Sequence, residues 1–312
     1  MICLRLFLIL LAGVAVAAAQ PYGYVANEMG NTVSVVNRAT NTVVATVPIS
    51  GGSLTGLAVS PNGAYVYVTE QSKNCIAIIS TASNSVIGTV TVGSSPVQVA
   101  FTPNGLMAYV VNSLSSNVSV INTTTDTVVA TIAVGSKPVG LAVTPDGTRV
   151  LVTNLLSSNI SEISTASNSV TATWTALSGT NAIAVFGNDV YVTNQYANAL
   201  TVHSLATGII LATITGFSAP NAVAVTPDGS ELFVTNGNSS SVWALETSSL
   251  AIVAKIPAGL MPTSVAVSAD SSTAYVTAGY GYSLTIINTT TNAVTDTLAR
   301  VGIYPASVAL YQ

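Results

Sequence analysis

The residues able to do chemistry are few. A hydrolytic triad needs a histidine as base, and the chain has one, His203. A nucleophilic thiol is commonly activated by a histidine that takes its proton, and Cys75 has no histidine near it in sequence. No Cys/His cluster has zinc spacing, no Asp-x-Asp-x-Asp-Gly loop is present, and no glycine-rich phosphate loop opens a helix. Two carboxylates, Glu28 and Glu70, interrupt stretches otherwise made of Ser, Asn and Gly. Three tyrosines, Tyr280, Tyr282 and Tyr304, interrupt similar stretches near the C-terminus. Tyrosine rings can act as stacking platforms, and carboxylates can accept from hydroxyls and amines or hold a cation. Whether these five residues can act together depends on the elements that carry them.

Those elements repeat. Tyr24-Val25-Ala26-Asn27 recurs as variants starting at Tyr67, Tyr109, Leu151, Tyr191, Phe233 and Tyr275, at steps of 43, 42, 42, 40, 42 and 42 residues. Such a period with several short strands per unit is the signature of a β-propeller blade. Each unit reads as an apolar first strand, often after Pro, then a tight turn such as Pro103-Asn104-Gly105 or Pro145-Asp146-Gly147. Asn-Gly and Asp-Gly supply the positive φ angles that a short hairpin needs. The tetrapeptide is the second strand, a third follows a loop of constant length, and an outer strand closes the unit. The chain begins at a second strand, Tyr22 to Ala26, and ends with a first strand, Pro305 to Tyr311. Seven blades are complete only if the termini share one. The expected fold is all-β: a seven-bladed propeller of four-stranded antiparallel blades, one domain over 20–312, with blade 1 formed by 22–48 plus 305–311.

In this register His203 falls where the other blades place Val36, Ile79, Ile121, Ile163, Leu245 or Ile287, an apolar position between blades. Cys75 falls in a small, polar slot. Neither is expected to be catalytic. The loops between strands two and three, and those entering each first strand, share one face around the channel. Ring closure makes blades seven and one neighbours, so Glu28, Glu70, Tyr280, Tyr282 and Tyr304 fall in one sector. Two readings stand: a ligand patch at the channel mouth, or drift of the repeat on a solvated face.

The intact Tyr191-Val192-Thr193-Asn194, with Ala142-Val143-Thr144-Pro145-Asp146-Gly147, resembles the YVTN-family β-propeller repeat. The likeness covers nearly the whole chain after its first segment. It implies a seven-bladed propeller, usually exported, as in surface-layer and cell-envelope proteins. Related propellers include lactonase-like enzymes. The motif builds blades rather than an active site, so it says little about function.

Composition agrees with blades packed on both faces: 49% of residues are hydrophobic and 6% charged. Met1 to Ala19 reads as a signal peptide, with Arg5, an apolar run Leu6–Val16 and a small-residue cleavage site at Ala17-Ala18-Ala19. Beyond it no stretch is apolar for long enough to span a bilayer as a helix. The expected location is secreted, periplasmic or cell surface. After cleavage the net charge is 6 − 11 = −5, and no run of basic residues favours nucleic acid or an anionic membrane. The expectation is an exported, monomeric, non-catalytic binding or scaffold module with no cofactor and no metal. Its partner would be a protein, glycan or small-molecule ligand of the envelope. The alternative is a lactonase-like hydrolase in which Glu28 and Glu70 either polarise a water or hold a divalent cation.

Overall fold

The computed structural model describes residues 22–311, so the segment read as a signal peptide lies outside the described residues. Twenty-eight strands, β1 to β28 in chain order, form seven four-stranded antiparallel sheets, with no α-helix among the described residues. Blade 1 joins the two ends of the chain in the order β28–β1–β2–β3, with β1 Tyr22–Asn27, β2 Thr32–Asn37, β3 Thr42–Pro48 and β28 Pro305–Leu310. The register pairs Tyr24 with Ala309, Val25 with Val308 and Ala26 with Ser307. This is the expected closure of the ring. Every other blade is contiguous in sequence.

Burial explains the tetrapeptide. Second strands are covered on both faces, and Tyr24, Tyr67, Tyr109, Tyr191 and Phe233 are almost wholly buried between blades. The phenol of Tyr67 donates to Asp126 Oδ1 (2.6 Å) in the outer turn of the next blade, and Tyr109 donates likewise to Asn168 Oδ1 (2.9 Å). Burial, then the Asp126 bond, raises the Tyr67 phenol pKa well above its usual range. The ring at this position therefore fills the interblade core, and at Tyr67 and Tyr109 its hydroxyl also staples adjacent blades.

The outer strands carry exposed β-branched residues such as Val44, Ile87, Val129 and Val253. In all seven blades the pairing of third and outer strands shifts register midway, at Val35/Val36 in blade 1 and at Ile78/Ile79 in blade 2. A bulge there bends the exposed edge and blunts it as a template for a further strand.

First strands line the channel. Their fourth residues, among them Leu57, Leu141, Ile183, Val223 and Val308, form an apolar waist. Above it a cavity of about 370 Å³ opens on the face of the longer loops, bordered by Thr55, Gln98, Asn181, Asn221 and Thr263. Much of this polar border is used up in holding the ring together. Asn221 Nδ2 donates to Pro262 O (2.8 Å) and Thr263 Oγ1 to Pro305 O (2.8 Å), each reaching the next blade.

Candidate functional site

The loops between second and third strands have one geometry. Each is four residues long and ends in a left-handed residue: Asn31, Asn74, Ser116, Ser158, Asn198, Ser240 and Tyr282, with φ between 49° and 56°. The residue entering most first strands is also left-handed: Ser53, Ser95, Lys137, Ala219, Met261 and Tyr304, at φ 51° to 58°. Short polar side chains adopt this conformation at little cost; bulky ones adopt it at a higher cost. Three large side chains occupy it in one sector, Met261 and Tyr304 at the entries to the first strands of blades seven and one, and Tyr282 in the loop of blade seven.

There the side chains meet. The rings of Tyr280 and Tyr304 pack edge to face, with centroids 5.3 Å apart and planes at 83°. The Tyr304 hydroxyl donates to Met261 Sδ (3.7 Å), and Glu28 N donates to Tyr304 O (2.9 Å). Burial raises the pKa of the Tyr304 phenol, with smaller contributions from Glu28 and Tyr280. The Glu28 carboxylate accepts from Ser53 Oγ (3.0 Å). Tyr280 and Tyr282 are largely exposed. The arrangement offers two phenol rings beside a carboxylate, open to solvent at the edge of the channel mouth.

Glu70 is placed differently. It is 1% exposed and occupies the slot that Asn27, Asn112, Asn154, Asn194 and Asn236 fill elsewhere. Those asparagines lock the loop: Asn27 Nδ2 donates to Ser34 Oγ (2.9 Å), Asn112 to Ser119 Oγ (2.9 Å) and Asn194 to Thr201 Oγ1 (2.9 Å). Blade two has Ala77 at the hydroxyl position, which leaves room for the longer carboxylate. Lys73 Nζ stands 3.7 Å from Glu70 Oε2 and donates to both Ser50 O and Ser50 Oγ at 2.7 Å. Gly52 backs onto Glu70, where a Cβ would come within 3.2 Å of Oε2. The Cys75 thiol is pushed up to about 11, by burial first and then by Glu70. The structure thus brings Glu28, Tyr280 and Tyr304 together, with Tyr282 on the same loop as Tyr280. It seals Glu70 under Ser50–Ser53, with an ammonium group already beside it.

His203 is fully buried. Nδ1 faces Gly208 O (3.2 Å), which can only accept, so Nδ1 carries the proton and Nε2 accepts from Thr201 Oγ1 (3.0 Å). Burial lowers its pKa and keeps it neutral. Among the described residues no group of three or more His, Cys, Asp or Glu is arranged to hold a metal ion. The polar channel border and the left-handed Met261 were not singled out from sequence. Aligning the blades shows the second signal, since Met and Tyr stand before Pro where Ser, Lys and Ala stand elsewhere.

Comparison with known proteins agrees with this fold. Residues 14–129 match the family described as Lactonase, 7-bladed beta-propeller, and residues 98–178 match the YNCE-like beta-propeller family. No curated protein matches the chain. Among solved structures, hydrazine synthase of Kuenenia stuttgartiensis is 21% identical, covering 88% of this chain and 91% of its own, with a TM-score of 0.75. A protein of unknown function from Desulfotomaculum acetoxidans is 18% identical, with 93% and 98% covered and a TM-score of 0.82. A protein provisionally described as a 6-phosphogluconolactonase from Bacteroides fragilis is 14% identical, with 92% and 96% covered and a TM-score of 0.78. Together these likenesses establish a seven-bladed β-propeller, matched over parts of its length by lactonase-type and YNCE-like families.

Proposed function

We propose that this propeller is an exported, non-catalytic binding module of the cell envelope, of the YVTN surface-layer kind, with its ligand patch at the ring closure. The observation that carries the reading is the trio Met261, Tyr282 and Tyr304, held in left-handed backbone where other blades use mostly small or polar residues. Each such placement costs about 1–2 kcal/mol, and strain of this kind concentrates where a side chain's direction matters. The strained backbone at Tyr304 holds its ring against Tyr280 beside Glu28, a surface suited to a ligand with a flat apolar face and a hydroxyl or amine. Export rests on the Met1–Ala19 segment. The test is thermal unfolding of the protein against envelope sugars, peptides and amines, because a ligand of the folded state raises the melting temperature by mass action. A shift abolished by Tyr280→Ala supports the patch. A shift that survives both Tyr280→Ala and Glu28→Gln refutes it.

A second reading, a lactonase-like hydrolase, draws support from the family match over residues 14–129. It requires lactone turnover that is lost in Glu28→Gln or Glu70→Gln. Turnover unchanged in both would exclude these carboxylates from the chemistry.

A further inference from the structure

The face that carries the closure patch has a second pattern spread around the whole ring. The second residue of each four-residue loop is Met29, Ser72, Leu114, Leu156, Tyr196, Asn238 or Tyr280. Five of these seven are large and apolar, and they are exposed by 59% (Met29), 77% (Leu114), 61% (Leu156), 59% (Tyr196) and 57% (Tyr280). Leu260 and Ile303, in the loops entering first strands, add 62% and 56% on the same face. None of these seven side chains serves the core. Because the loops are equal in length and end in the same left-handed turn, equivalent positions reach the same height. The apolar tips therefore form a flat ring rather than a groove.

Charge is segregated along the same axis. Seven of the eleven carboxylates, including Asp126, Asp146, Asp228 and Asp270, stand in or beside the turns of the opposite face, with Arg38 and Arg149. That face sums to 2 − 7 = −5. On the apolar-tipped face stand Lys73, Lys137 and Arg300, all exposed, against Glu28 and the buried, Lys73-paired Glu70. A chain that is acidic overall thus has one face that is apolar and slightly basic and another that is strongly acidic.

We infer that the loop face docks on the surface of a lipid bilayer containing anionic lipid, with the channel axis along the membrane normal. A planar ring of Leu, Ile, Met and Tyr tips matches a planar interface, where aromatic and aliphatic side chains enter the headgroup boundary. The basic residues lie where anionic headgroups would attract them, and the carboxylates are held a propeller's thickness away. This contact goes beyond the closure patch, since Leu114, Leu156 and Tyr196 sit on blades three to five.

The test reads which face meets the lipid. An indole reporter is introduced by Leu156→Trp, with Leu106→Trp as control, because Leu106 is 54% exposed on the acidic face. Both full-length chains are mixed with vesicles of brominated phosphatidylcholine and phosphatidylglycerol at 3:1. Both keep the native Trp174 and Trp243 and the same N-terminal segment, so the difference between them reports orientation. The expected result is quenching in the Leu156→Trp chain well above that in the Leu106→Trp chain. Lys137→Gln should weaken vesicle partitioning about fivefold, the factor for one basic residue near an anionic surface. Leu114→Ser combined with Tyr196→Ser should weaken it at least tenfold, while leaving any melting shift at Tyr280 and Glu28 intact. Equal quenching in the two chains, or none, overturns the inference. So does a chain that forms dimers without lipid and loses them with Leu114→Ser, because the ring would then be covered by a second copy.

Discussion

Replacing Leu310 by alanine tests the closure of the ring without removing the strand that makes it. Leu310 is 7% exposed and packs in a cluster with Val25, Val36, Tyr275, Leu284 and Val308, which joins blades seven and one. Truncation would mix lost contacts with the ordering entropy of six residues, about 1–2 kcal/mol each. The point substitution leaves that cost in place, so the difference reports packing alone. A buried Leu→Ala change costs about 2–5 kcal/mol, depending on how far the site collapses; about 3 is apt for a strand at a ring seam. The described residues number 311 − 21 = 290, and unfolding entropy of about 2.1 cal/mol/K per residue gives roughly 0.6 kcal/mol/K. The melting temperature should therefore fall by about 5 °C in calorimetry if the ring unfolds as one unit. Leu211→Ala, 59% exposed on an outer strand, is the control and should shift it by less than 1 °C. Equal small shifts for both substitutions would refute the claim that the seam is held by this packing. A chain ending at Tyr304 that melts like the intact protein would refute closure itself.

Tyr282→Asn should raise stability by about 1 kcal/mol, because the residue sits at φ 51° and asparagine accepts that conformation; chemical denaturation checks it. Gly140→Ala should cost several kcal/mol, since a Cβ there would clash with Asn181 O, a backbone atom that cannot swing away; a fall in melting temperature of less than 2 °C would contradict this. His203 has a lowered folded pKa, so the unfolded chain binds more protons between that value and 6.5, and stability must rise with pH across this window. His203→Ile should flatten that rise in melts taken from pH 5 to 7.5. The Asp146 and Asp270 carboxylates are held down to about 2 by turn hydrogen bonds, led by those from Thr144 and Ser268. Their contribution is present above the ordinary carboxylate value of about 3.8 and is lost as pH falls toward 2, so Asp146→Asn with Asp270→Asn should reduce the steepness of acid unfolding in that range.

The fold was legible because its determinants are local and repeated. Pro-Asn-Gly and Pro-Asp-Gly turns, a tyrosine at a step of about 42 residues and a missing first strand at one end are visible in a single line of text. The site was legible only in part. Tyr280, Tyr304 and Glu28 meet because ring closure makes their blades adjacent, which counting strands reveals. Glu70 looked like their partner because it replaces an asparagine beside a loop. Its burial follows from Ala77, whose meaning depends on cross-strand pairing rather than on proximity in the chain, and from the fold-back of Ser50–Ser53 onto the loop that carries Lys73. The two-faced charge distribution was hidden for a related reason. The acidic and basic residues are scattered along the sequence without contiguous runs, and only the up-and-down path of the strands sorts them onto opposite faces.

Closure also sets a timetable. Tyr24 is among the first described residues to be made, yet its inner neighbour Ala309 follows 309 − 24 = 285 residues later. Blades two to seven can each form from a span of about 42 residues, while blade one must bring the whole chain around. Loop-closure entropy grows slowly with length, and the ratio of 285 to 42 adds only about 2 kcal/mol. The larger effect is on order of events, because long-range pairing comes late. Until synthesis reaches Pro305, β1 keeps one edge unpaired and the ring stays open. The propeller is therefore a molecule whose last six-residue strand decides when it becomes a single cooperative object, and any factor that must act on the unclosed chain has the whole of translation in which to do so.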